Sequence, residues 1–156
     1  MDLAKKILEI RKGNGLTQEE FAEKLFVTRQ AASRWENGET TPTVDTLKKM
    51  FELFNVDANV FFDVAPVCQS CAWTLNDVEY FGTNPDKSVT TDYCGHCFVD
   101  GKFSAEKNVA EMVDMLMGYL KEFNEARGAN YTEAEARKEL GEYLPTLKRW
   151  NSGSVS

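Results

Sequence analysis

The sequence predicts a mainly α protein in two parts: a bundle of five short helices, then a small segment of short β-strands held by cysteines and followed by trailing helices. Three observations carry this. Apolar residues recur at spacings of three and four through residues 3–61, punctuated by capping residues and glycines. Four cysteines fall in two pairs, Cys68/Cys71 and Cys94/Cys97, both in the second part. Around those pairs, aromatic and β-branched residues alternate with turn formers, the mark of short strands and loops.

In the first part, Leu3, Ile7 and Ile10 follow helical spacing, and Gly13-Asn14-Gly15 stops that helix. Thr17 with Glu20 is a capping box for a second helix whose buried stripe is Phe21, Ala22 and Leu25. Thr28 caps a third helix that runs to about Asn37 and stops at Gly38. Thr43 caps a fourth, with Leu47, Met50, Phe51 and Phe54 inward. Asp57 opens a short fifth carrying Val60 and Phe61.

The natural joint is Asp63-Val64-Ala65-Pro66-Val67, because Pro66 ends helices and biases its predecessor to extended backbone. The expected units are 1–63, a linker at 64–66, and 67–151. Strand-like runs are expected at Trp73-Thr74-Leu75 and Val78-Glu79-Tyr80-Phe81, with loop from Thr83 to Asp92. This segment is too small for a substantial core and needs a staple. Asn108 with Glu111 then caps an apolar helix, Val109, Met112, Val113, Leu116, Leu120 and Phe123, broken by Gly128 and Asn130. That stripe is read as core, although Met112, Met115 and Met117 also suit an adaptable interface. Thr132 with Glu135 caps another helix bearing Ala136, Leu140 and Leu144. Pro145 interrupts it, and Leu147 and Trp150 continue the apolar face.

Composition narrows the function. With 156 residues, 42% apolar and 28% charged, the chain is globular rather than disordered. No apolar run approaches the roughly 18 residues of a membrane span. The opening Met1-Asp2-Leu3-Ala4-Lys5-Lys6 shows no signal-peptide core, so a cytoplasmic protein is expected. The formal charge of −7 argues against a general polyanion binder, so any nucleic-acid contact must be local. No Ser/His/Asp grouping, phosphate loop or open metal shell points to an enzyme.

Helices two and three are separated by only Phe26-Val27, which is helix-turn-helix spacing. Such a turn sets the third helix across the second, with its exposed face free to enter a major groove. That face carries Thr28, Arg29, Gln30, Ser33 and Arg34. Arg bonds guanine bidentately, Gln does the same to adenine, and Ser bonds several bases. Gln18, at the start of helix two, and Asn37, at the end of helix three, suit phosphates. Trp35 is read as a core anchor. Residues 1–12 add a weak local charge of +2.

The cysteine pairs enclose 22 residues. Two thiolates two residues apart hold one metal on a tight turn, and two such turns complete a tetrahedron. Soft anionic ligands favour one structural Zn²⁺, or less often iron. His96 as a replacement ligand and a pair of disulfides are the lesser readings, and the spacing serves a redox-sensing site as well as a plain staple.

Residues 3–62 resemble the phage-repressor-type helix-turn-helix family (XRE, or Cro-like). The resemblance is carried by Leu16-Thr17-Gln18-Glu19-Glu20-Phe21-Ala22-Glu23-Lys24-Leu25, by Val27-Thr28-Arg29-Gln30-Ala31-Ala32-Ser33-Arg34-Trp35-Glu36-Asn37-Gly38, and by the continuation Pro42, Leu47, Leu53 and Val56. It implies that Gln18, Thr28, Arg29, Gln30, Ser33, Arg34 and Asn37 face double-stranded DNA and that a homodimer binds paired half-sites. Phe26 departs from the family, where Gly or Asn takes the positive-φ turn position. A Phe there is strained unless the turn is remodelled or the ring is held by packing.

Residues 67–151 resemble a bacterial zinc-ribbon family. The matching segments are Val67-Cys68-Gln69-Ser70-Cys71, Phe81-Gly82-Thr83-Asn84, Asp92-Tyr93-Cys94, Cys97, Asp100-Gly101-Lys102-Phe103 and Leu144-Pro145-Thr146-Leu147-Lys148-Arg149-Trp150. This resemblance implies a zinc-bound ribbon, with Cys68, Cys71, Cys94 and Cys97 as ligands, and trailing helices. It implies no activity. Ala72-Trp73 replaces a more usual Gly-Met, a change expected to alter packing more than metal binding. Together the two parts read as a transcription regulator, repressing by occlusion. The rivals are a protein-interaction or antitoxin-like adaptor that keeps the repressor fold, and a zinc or thiol redox sensor.

Overall fold

Helix by helix, the first part follows its caps. The computed structural model describes residues 2–62 and 65–151; the joint expected at Asp63–Val64, the opening Met1 and the side chain of Val60 lie outside the described residues. Asp2 caps α1 (Leu3–Gly13), which buries Leu3 and Ile7. The Thr17–Glu20 capping box forms as expected and starts α2 (Gln18–Leu25). Thr28 caps α3 (Arg29–Glu36), and Thr43 caps α4 (Val44–Phe54). The short α5 (Ala58–Phe61) closes the bundle. Ile7, Phe21, Leu25, Trp35, Leu47 and Met50 are buried together, and the Phe21 and Phe54 rings stack with centroids 5.2 Å apart. Trp35 is therefore a core residue, which fixes the inner side of α3 and turns the opposite side outward.

The turn at Phe26 is not remodelled. Its backbone is left-handed, with φ 56° and ψ 41°, the conformation that Gly or Asn would take there. Packing does not hold the ring either, because Phe26 is 83% exposed, with only the Lys49 ammonium 3.7 Å above the ring centroid. A side chain in this region costs about 1–2 kcal/mol. Phe26→Gly relieves that strain, but the lost cation–π contact and the freer unfolded chain each take back about 0.5–1 kcal/mol, so stability is expected to change by less than about 1 kcal/mol. Urea unfolding of the two proteins measures this, and a larger change in either direction refutes it.

In the second part, β1 (Phe81–Thr83) pairs antiparallel with β2 (Val89–Cys94), with a bulge between Phe81 and Gly82. A two-residue pair follows, β3 (Phe98–Val99) with β4 (Lys102–Phe103). Three expectations are corrected here. Val78–Tyr80 is a 3₁₀ turn capped by Asp77, with only Phe81 in a strand. Trp73-Thr74-Leu75 contributes a single bridge, Val67 to Thr74. The loop expected from Thr83 to Asp92 is confined to 84–88, with Thr83 in β1 and 89–92 in β2, so the extra residues between the cysteine pairs lengthen a hairpin.

Two glycines of the ribbon are required by space. A Cβ on Gly82 would sit 2.6 Å from the Phe98 carbonyl oxygen, where β1 crosses β3. Gly101 has φ +81°, and a Cβ there would lie 2.6 Å from Pro85 Cγ.

The expected long apolar helix is two helices, α6 (Val109–Met117) and α7 (Leu120–Arg127). Gly118 and Tyr119 donate to Met115 and Leu116 carbonyls three residues back, which tightens the last turn of α6 and ends it. The break still leaves Met112, Val113, Leu116 and Phe123 buried. The Thr132–Glu135 capping box starts α8 (Glu133–Tyr143), which packs on α6. Pro145 forms a 3₁₀ turn, Leu144–Thr146, and α9 (Lys148–Asn151) ends the described chain.

The helices touch the ribbon along one seam. The Val89 amide donates to the Pro42 carbonyl at 2.9 Å, and the Thr41 hydroxyl donates to the Val89 carbonyl. Lys48 pairs with Glu79, and the Phe62 and Phe81 rings lie 6.1 Å apart. No described helix is long and apolar enough to cross a membrane.

Candidate nucleic-acid interface and metal centre

The outer face of α3 exposes Arg29, Gln30 and Arg34, with Ser33 half-buried among them. Thr28 is exposed, and its hydroxyl oxygen accepts from the Ala31 amide as the helix cap. Arg34 lies 3.4 Å from Glu39 in an exposed pair. The ribbon's hairpin turn also comes close to it: hydrogen bonds from Ser88 hold the Asp86 carboxyl below the usual carboxylate range, with a smaller pull from Arg34. Asn37 is exposed at the end of α3.

Gln18 has a job inside the protein. Its amide donates to Glu36 Oε2 at 2.9 Å. Glu36 also receives Arg11 Nε at 2.5 Å and an Arg11 terminal nitrogen at 3.0 Å, while Arg11 reaches the Leu16 carbonyl at 2.8 Å. Only 14% of the Arg11 side chain and 4% of the Glu36 side chain are exposed. Burial pushes the Glu36 carboxyl up, but hydrogen bonds from Arg11 and Gln18 and the charge of Arg11 outweigh it, holding the group below the usual range. This network ties α1, the start of α2 and the end of α3 together. Sequence reasoning missed it, since Arg11 and Glu36 are 25 positions apart.

The four cysteines meet at the base of the ribbon. All are buried, and their sulfurs lie within 4.8 Å of one another. Sulfurs about 2.3 Å from a tetrahedral zinc lie about 3.8 Å apart. The Cys71 and Cys94 sulfurs are 3.8 Å apart. The turns are made locally: the Ala72 amide donates to the Cys68 carbonyl at 2.9 Å, and the Cys97 amide to the Cys94 carbonyl at 3.0 Å. The Cys94 amide donates to Cys68 Sγ at 3.3 Å, a contact that favours a thiolate. Hydrogen bonding from Cys71 pushes the Cys68 thiol down, and the same bond pushes Cys71 up. The donor set, its closeness and its full complement of four sulfurs fit one structural Zn²⁺. His96 is exposed and lies outside the cluster, in keeping with the solvated reading.

Ala72 is buried with φ 63°. The more usual Gly at this position therefore answers to backbone conformation as well as to packing.

The closing segment clamps the first cysteine turn. The Arg149 amide donates to the Gln69 carbonyl at 3.1 Å, its guanidinium to the Ser70 hydroxyl at 2.9 Å, and the Trp150 indole N–H to the Ser70 carbonyl at 2.8 Å. Lys148 adds an ion pair to Asp92 at 2.6 Å. A run some eighty positions downstream thus holds the turn that holds the metal.

These features define a metal-stapled ribbon joined to a helix-turn-helix. The family described as "Putative zinc ribbon domain" matches residues 67–151, and the chain belongs to it. The family described as "Helix-turn-helix" matches residues 7–61. In that first part the chain is similar to the HTH-type transcriptional activator BcrR of Enterococcus faecalis, 41% identical over 56 residues, covering 36% of this chain and 28% of the relative. It is also similar to the HTH-type transcriptional regulator ImmR of Bacillus subtilis (strain 168), 39% identical over 59 residues, covering 38% of this chain and 46% of the relative. The chain thus spans less than half the length of each of these relatives. No solved structure matches it significantly.

Proposed function

We propose that the protein is a sequence-selective DNA-binding transcription regulator in which α3 reads base edges. The observation that carries this reading is the outward face of α3, where Arg29, Gln30 and Arg34 are exposed on a helix fixed by the burial of Trp35. The names of both relatives support it. Arg29 and Arg34 are assigned to guanine edges, Gln30 to adenine, and Ser33 to less selective contacts. Thr28 and Asn37 are assigned to phosphates, and Gln18 to a phosphate through the backbone amides at the start of α2. We expect a homodimer on paired half-sites in the cytoplasm, repressing by occlusion and not acting as an enzyme.

Selection of bound fragments from random duplex DNA, followed by titration of the selected operator, tests this. Arg29→Ala and Arg34→Ala are each expected to weaken operator binding about 10- to 100-fold, a loss of roughly 1–3 kcal/mol. Affinity is expected to fall steeply with salt. No enrichment of any sequence, or full affinity in both variants, sinks the assignment and favours the protein-interaction reading.

A further inference from the structure

One cavity borders the metal centre, with Cys71, Cys94 and Cys97 in its wall, and extends beyond it. Its volume is about 510 Å³, and it sits between the second cysteine turn and α6. Its floor is apolar: Met112 and Leu116 are buried, and Met115 is half-buried beside them. Two rings flank it, Tyr80 at 46% and Tyr119 at 54% exposure. The wall also carries His96 and two cations, Arg149, which bonds the first cysteine turn, and Lys107. Lys107 is half-buried in the wall, and no carboxylate pairs with it among the described residues. The wall's own acid, Glu79, is taken up by Lys48 of α4.

We propose that this cavity binds a small amphipathic anion: a flat or branched apolar body against the methionines and tyrosines, with one carboxylate, sulfonate or similar group on Lys107. Three features select this class. The volume falls within the range of about 300–1,000 Å³ usual for small-molecule sites. It is too small for two turns of a helix about 10 Å across. Thioethers adapt to varied apolar shapes, and the two cations of the wall, Lys107 and Arg149, set against the metal-bound thiolates, favour one negative charge over none. The inference does not depend on DNA reading.

The test uses the zinc-loaded full chain and two fluorescent probes of nearly the same body, 8-anilinonaphthalene-1-sulfonate and the neutral N-phenyl-1-naphthylamine. One saturable site is expected for each. Lys107→Gln is expected to weaken the sulfonate about fivefold to tenfold and the neutral probe less than twofold. Met115→Glu is expected to abolish both. Tyr119→Ala, which changes an exposed ring, is expected to weaken both while zinc content and helical circular dichroism stay unchanged. Non-saturable binding, equal loss of both probes in Lys107→Gln, or binding indifferent to Met115→Glu and Tyr119→Ala overturns the proposal. So does binding that falls as protein concentration rises, which assigns the cavity to a second copy of the chain.

Discussion

Stripping the metal with a chelator at neutral pH is expected to release one zinc per chain and unfold the ribbon. Strands β1, β3 and β4 have three, two and two residues, far too little ladder to stand alone. The four cysteines that would hold the metal are buried against one another. Structural zinc sites contribute about 10–16 kcal/mol, as much as the whole stability of an ordinary domain. The aromatic cluster of Tyr93, Phe98 and Phe103, whose centroids lie 5.0–5.2 Å apart, is carried by β2, β3 and β4. Near-ultraviolet circular dichroism should therefore fall sharply, while much of the far-ultraviolet helical signal persists in α1–α4, where Ile7, Phe21, Leu25, Trp35, Leu47 and Met50 pack together within a hydrophobic cluster that runs on into the ribbon. Cys71→Ser is expected to do the same without chelator. Lower pH should release the metal too, because protons compete for the thiolates. Purified protein without zinc that keeps its near-ultraviolet spectrum would show the four thiols to be something other than a metal staple.

What the sequence disclosed and what it hid divide along a physical line. Capping boxes are local: Thr17 with Glu20, Asn108 with Glu111, and Thr132 with Glu135 each need only three residues of context, and each forms. The cysteine pairs are legible for the same reason, since each bites on its own turn. Val78–Tyr80 was misread because β-branched and aromatic residues favour strands on average, whereas here the Asp77 carboxylate caps a 3₁₀ turn. The break at Gly118 was hidden by an apolar stripe that keeps helical spacing through it. The Arg11–Glu36–Gln18 network and the wall of the large cavity join segments far apart in the chain, and no local pattern announces them. Phe26 lay between these cases: its departure from the resemblance pointed to strain, but only the fold showed that the strain is borne with the ring in solvent.

Arg11→Ala is expected to cost about 2–3 kcal/mol and to flatten the acid response of the helical part. Removing one partner of a buried ion pair costs about 3–5 kcal/mol because the other charge is left behind. The remaining solvent contact of Arg11 lowers that figure here. In the native chain the Glu36 carboxyl lies below its ordinary value of 4.5. A depressed folded pKa contributes stability that is present above the unfolded pKa and is lost as pH falls through the folded one. Native protein should therefore weaken on acidification below about pH 4.5. In the variant, burial still pushes the Glu36 carboxyl up and is opposed only by the Gln18 hydrogen bond and the Lys12 charge, so the folded pKa rises. The carboxylate then contributes less stability, and the gap between variant and native protein narrows as pH falls toward 4.5. At neutral pH the loss should lower the melting temperature by roughly 4–12 °C. Replacing both partners, as Arg11→Met with Glu36→Leu, should recover most of it, because no charge is then stranded. Operator affinity in that double variant reads a second quantity. Gln18 loses its acceptor and α3 its tie to α1, so a fall in affinity with stability restored would assign the network to positioning the reading helix. A single variant with unchanged melting temperature and an unchanged acid limb would remove the network from the account of both.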